Sequence, residues 1–153
     1  MRRLSGVLLA GAMLMLPAFS QNAGVLQAQA PQKLTMEGDL ALWSVAIRPD
    51  KTGDFEKIMG KIKDALSKSE APEAKQQLAG WRVVKMSKPM PDGNIIYTHV
   101  ITPVAGADYN ILQVLYATFK DPAEQKELYD MYRGAFAANL GISSGSIAAD
   151  LSK

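Results

Sequence analysis

Residues 40–47, LALWSVAI, are apolar in both alternation phases: Leu40, Leu42 and Ala46 on one, Ala41, Trp43, Val45 and Ile47 on the other. Such a run predicts a strand that needs cover on both faces. Arg48-Pro49-Asp50 ends it, because proline has no N–H to give to a ladder. From Thr52 to Lys68 the period changes, and Phe55, Ile58, Met59, Ile62, Ala65 and Leu66 recur at three- and four-residue steps. The pattern predicts an amphipathic helix, capped by Thr52, with Asp54 and Glu56 in its first turn to suit the helix dipole. A short helix over 72–79 follows, opened by Pro72 and stopped by Gly80.

The stretch 80–104, GWRVVKMSKPMPDGNIIYTHVITPV, organises the chain. Two runs rich in Val, Ile, Tyr, Trp and Thr flank Pro89, Pro91, Asp92, Gly93 and Asn94, which supply turn chemistry, so a β-hairpin is predicted. A turn centred near Met90 and Gly93 puts Trp81, Val83, Lys85 and Ser87 on one face with Ile96, Thr98, Val100 and Thr102. The other face then carries Arg82, Val84, Met86, Tyr97, His99 and Ile101, where apolar bulk meets three polar groups. Beyond the hairpin, Asp108 is a cap for a helix from Tyr109 to about residue 118. Asp121-Pro122-Ala123-Glu124 opens another that runs to about Asn139. Residues 142–151, ISSGSIAADL, alternate weakly and give a last strand.

The order strand, helix, strand, strand, helix, strand is that of a split βαββαβ unit. It predicts an α+β domain over 39–152 with an antiparallel four-stranded sheet, the helices on one face and a ferredoxin-like plan. The strands are apolar on both sides while the helices cover one, which leaves the other for a second copy of the chain.

Composition sharpens this picture at two points. Met1-Arg2-Arg3 followed by the uncharged apolar run 7–19 reads as a signal peptide over 1–20, too short to span a bilayer, with Ala18-Phe19-Ser20 or Ala28-Gln29-Ala30 as the cleavage site. Residues 21–38, rich in Gln, Ala and Gly, read as a flexible leader, and the mature chain is expected to be periplasmic or secreted with no stable membrane anchor. Removing Arg2 and Arg3 brings the basic residues level with the 15 acidic ones. A formally neutral chain has no electrostatic footprint for nucleic acid or a polybasic membrane surface. There is no cysteine, hence no disulfide, thiolate site or cysteine nucleophile.

The pattern LWSVAIRP, the helix from Thr52, the GWRVVK strand and the DGNIIYTHVI strand resemble the dimeric α/β-barrel superfamily, which includes antibiotic-biosynthesis-type monooxygenases, stress-responsive barrel proteins and haem-degrading enzymes. They are similar also to small exported bacterial proteins of unassigned function that keep the GWRV strand and the hairpin. The resemblance covers 40–151. It implies a homodimer whose two sheets form a barrel, with any ligand between sheet and helices, and it implies no particular reaction.

His99 is the one histidine and the obvious base. Haem-binding relatives hold iron through a helical histidine, so a strand histidine departs from their pattern, and no cofactor is expected. One histidine without cysteine also leaves no metal site. No phosphate loop or nucleophile elbow is present. Arg82 and Tyr97 suit an anionic or phenolic ligand, and Met86 and Trp43 an apolar or aromatic one. Each also has a framework role open to it: a hydrogen-bonded histidine, an edge ion pair, core. Two readings result: an exported dimer that binds a small apolar or aromatic ligand or is simply structural, or a cofactor-independent monooxygenase or isomerase using Tyr97 and His99. Convergence of Arg82, Tyr97 and His99 on a cavity separates them.

Overall fold

The computed structural model describes residues 32–151. The stretch read as a signal peptide, the two cleavage sites considered for it and the expected leader up to residue 31 lie outside the described residues. β1 (Leu40–Ile47) and α1 (Thr52–Lys68) have the bounds the apolar periods predict. Between them Pro49–Lys51 forms a 3-10 turn that runs straight into α1. The cap position therefore falls on Lys51 rather than Thr52, and no side chain caps the helix. α2 (Ala74–Gly80), β2 (Trp81–Lys85), β3 (Ile95–Ile101), α3 (Ile111–Thr118), α4 (Pro122–Ala135) and β4 (Phe136–Gly145) follow.

The protein is α+β. Its four strands make an open sheet in the order β2-β3-β1-β4, every neighbouring pair antiparallel. α1 packs against α2, α3 and α4. Its buried stripe of Phe55, Ile58, Ile62, Ala65 and Leu66 joins one core with Ala41, Trp43, Val45 and Ile47, the helix-facing phase of β1.

The hairpin turns where expected but pairs in the other parity. Trp81 lies opposite Ile101, Val83 opposite His99 and Lys85 opposite Tyr97, so these six share the helix-facing side. Arg82, Val84 and Met86 belong instead with Val100, Thr98 and Ile96 on the far side. The cause is in the turn. Gly93 N–H donates to Met90 O, Met90 N–H donates to Asn94 O, and Gly93 sits at φ 85°. This is a four-residue turn with one extra residue at a left-handed glycine, and one extra residue inverts every side chain beyond it.

The bounds of four further elements move. α4 stops at Ala135 rather than near Asn139, and the last strand is Phe136–Gly145 rather than 142–151. The free edge of β1 is the reason: pairing from Ile47 opposite Phe136 to Leu40 opposite Gly145 satisfies a row of backbone groups, which outweighs the helix preference of two alanines. The register against β1 shifts twice: between Ser44 and Val45, opposite Gly141 (φ 106°) and Asn139, and between Ala46 and Ile47, opposite Ala138 and Phe136. α3 starts at Ile111, capped by Asn110. Asp108 is engaged elsewhere: its Oδ1 accepts from Leu34 N–H at 3.0 Å and Asn110 N–H at 2.9 Å. α2 begins two residues late, after a turn.

The segment read as a leader is fastened to the domain from Lys33 onward. Lys33 Nζ donates to Gly106 O, Tyr109 N–H donates to Leu34 O, and Met36 is buried in the core.

Candidate functional site

β3 brings Tyr97 and His99 to the helix-facing side, two residues apart, and β1 brings Trp43 opposite His99. His99 is 0% exposed. Its ring stacks on Trp43 with centroids 4.7 Å apart and planes 22° apart, and Phe55 stands nearly perpendicular to it at 6.1 Å. The Trp81 indole N–H donates to His99 Nδ1 at 2.9 Å. Nδ1 thus carries the lone pair and Nε2 the proton, an assignment that follows from the hydrogen bond. Nε2 is buried with no hydrogen-bond partner among the described residues. Burial pushes the imidazole down to about 4, so the ring is neutral at ordinary pH.

Tyr97 has its ring in the core, tilted against Phe55 at 4.7 Å, but its hydroxyl reaches the rim and donates to Glu56 Oε1 at 2.6 Å. Lys85 Nζ donates to the same oxygen at 3.0 Å. The Tyr97 hydrogen bond, then that of Lys85, holds the Glu56 carboxyl below its usual range. Burial and the Glu56 bond raise the Tyr97 phenol, and Glu56 raises Lys85. This is a surface tie between α1 and the β2–β3 hairpin. It leaves Tyr97 without a hydrogen bond to His99.

Trp43 adds a second anchor, donating its indole N–H to Asn139 Oδ1 on β4 at 3.0 Å. Arg82 and Met86 lie on the opposite face, exposed to solvent. The five residues singled out by sequence therefore divide: Trp43, Tyr97 and His99 lie inside, Arg82 and Met86 lie outside, and only Trp43 and His99 touch as an aromatic pair. The parity of the hairpin decided this division.

Sequence reasoning passed over Phe55 as part of the histidine's surroundings, placed Trp81 on the face away from His99, and passed over Glu56, Lys85 and Asn139 as polar anchors. For Trp81 the odd-numbered alternation with Val83 was a visible signal; the Asn139 contact needs β4, which was read as helix there. Among the described residues no group of three or more His, Asp or Glu side chains converges as a metal site.

The far face of the sheet is apolar and open. Leu42 is 41% exposed and Val84 44%, with Leu40 and Met86 nearly as bare. At its centre the Ser44 and Thr98 hydroxyls hydrogen-bond each other at 2.9 Å, which removes their polarity from the surface. Leu40, Leu42, Ser143, Gly145 and Ile147 line a hollow of about 310 Å³ at the β1–β4 end. No protein-family model, curated protein or solved structure matches the chain.

Proposed function

We propose that this chain is an exported, non-catalytic module of the ferredoxin-like βαββαβ plan that works as a homodimer, two sheets packed face to face in the manner of a dimeric α/β barrel, and that holds a small apolar or aromatic ligand at the joint. The observation that carries the reading is the bare apolar sheet face of Leu40, Leu42, Val84 and Met86. Among the described residues that register-defined face carries one charge, Arg82, at its edge.

A second copy suits this face in size and shape. Four strands at about 4.8 Å spacing and roughly 25 Å length offer on the order of 500 Å² per copy, or about 1,000 Å² in total, near the lower bound for a specific interface. The β2–β3 half is bulky, with Val84, Met86, Ile96 and Val100, whereas the β4 half is small, with Ala138, Gly141, Ser143 and Gly145. A two-fold axis sets bulky against small twice. The hollow beside Leu40, Leu42 and Ile147 would then close into a pocket with an apolar lining and hydroxyls at its rim.

The non-catalytic reading is supported over an oxygenase or isomerase by His99. A general base must reach the proton it removes, and this ring is sealed among Trp43, Trp81 and Phe55 with its accepting nitrogen already occupied. Native mass spectrometry of protein purified from its exported fraction reads subunit number and retained ligand together. Twice the chain mass with a small adduct agrees with the proposal, whereas twice the chain mass alone keeps the homodimer and removes the ligand from it. A monomer with the N-terminal segment removed contradicts it.

A further inference from the structure

Every side of the His99 ring but one is accounted for: Trp43 on a face, the Trp81 N–H on Nδ1, Phe55 across it, and Nε2 directed away from its own backbone with nothing to bond. Trp81 is the first residue of β2, directly after Gly80. Gly80 is tightly seated: its carbonyl accepts from Thr102 N–H at 2.9 Å, and a Cβ on it would stand 3.0 Å from Thr102 O. The Trp81 indole meets Tyr109 edge-on at 5.3 Å. It also borders a hollow of about 60 Å³ that it shares with Met59, Ile62, Leu78 and Val83.

We propose that Trp81 and His99 form an acid-released latch, in which the indole is clasped to the sheet while His99 is neutral and swings toward the adjoining hollow when the ring takes a proton. The reason is the direction of the hydrogen bond. A neutral imidazole accepts at Nδ1; an imidazolium donates at both nitrogens, so a proton on Nδ1 would face the Trp81 N–H donor to donor. The burial that depresses the histidine is consistent with this and sets the range, between its ordinary value of 6.5 and about 4.

Among the described residues no neighbouring group relieves the charge. β1 offers Trp43, which is not titratable and whose N–H is held by Asn139. β3 offers Tyr97 and the loop before α3 offers Tyr109, both raised and neutral. α1 offers Glu56, already shared by Tyr97 and the Lys85 of β2, and Lys63, a cation beside the hollow. The Trp43 face gives the imidazolium some cation–π attraction, which does not restore the lost Trp81 bond.

The latch is read directly by NMR on the whole mature chain, following the two indole N–H signals from pH 7 to pH 4, with Trp81→Phe identifying which is which. The Trp81 signal is expected to lose at least tenfold of its exchange protection across this range while the Trp43 signal keeps its own. Loss of both together at one pH overturns the latch. In Trp81→Phe the bond that favours neutral His99 is gone, so the pH at which the ring protons of His99 titrate rises by about one unit. An unchanged titration overturns it equally.

Discussion

Among the described glycines, Gly38 is the one at which an added methyl group meets the closest atom. It sits at φ 79°, and a Cβ there would lie 2.6 Å from Gly145 O, the carbonyl that accepts from Asp39 N–H. Neither atom can give way without breaking the join between β1 and β4. Gly38→Ala is expected to destabilise by about 1–3 kcal/mol in urea unfolding, with the left-handed backbone alone worth about 1–2. His99 makes a second prediction at this scale. Its folded value of about 4 lies below the unfolded 6.5, so the unfolded chain binds more protons between them. The stability it contributes is full above pH 6.5 and is lost as pH falls toward 4. The wild type should lose about 2 kcal/mol from this group between pH 7 and pH 5, a component absent from His99→Gln in parallel urea titrations. The sequence singled out His99 at once as the one histidine, but its sealing was not legible. That depended on Gly93, whose left-handed backbone adds one residue to the turn and carries Arg82 to the opposite face from His99.

Elements were legible where local signals agreed. β1 and α1 have sharp bounds because Pro49 separates a strand apolar in both phases from a 3.6-residue period. α4 opens as predicted: Asp121 Oδ1 accepts from Glu124 N–H at 2.9 Å with Pro122 in the first turn. β4 was not legible. FAANLGISSG has no alternation, is exposed almost throughout, and becomes a strand by pairing with β1, a long-range cause that no local window contains. Asp108 shows the same limit, since its partner Leu34 is distant in sequence. The two aspartates should differ on replacement. Asp121→Ala removes one cap bond and is expected to cost about 0.5–2 kcal/mol. Asp108→Ala strips acceptors from two backbone N–H groups and is expected to cost about 2–3 kcal/mol. Equal melting temperatures for the two variants would mean that fastening Leu34 contributes nothing.

For the whole molecule, the two-sided apolar pattern of β1 foretold a sheet face without helices, and the structure has one. Which residues lie on it was not legible, again because of the hairpin parity. Val83 faces the helices, so charging it tests the core; Val84 and Val100 face outward. Val84→Glu is therefore expected to leave the subunit folded while disrupting the proposed dimer, with far-ultraviolet circular dichroism unchanged. If Val84→Glu stays dimeric, the interface lies elsewhere. The most direct measurement is sedimentation velocity of the wild-type mature chain at micromolar concentration. A single species of twice the chain mass is the predicted result, and a monomer at that concentration would contradict the proposed pairing of two bare sheet faces.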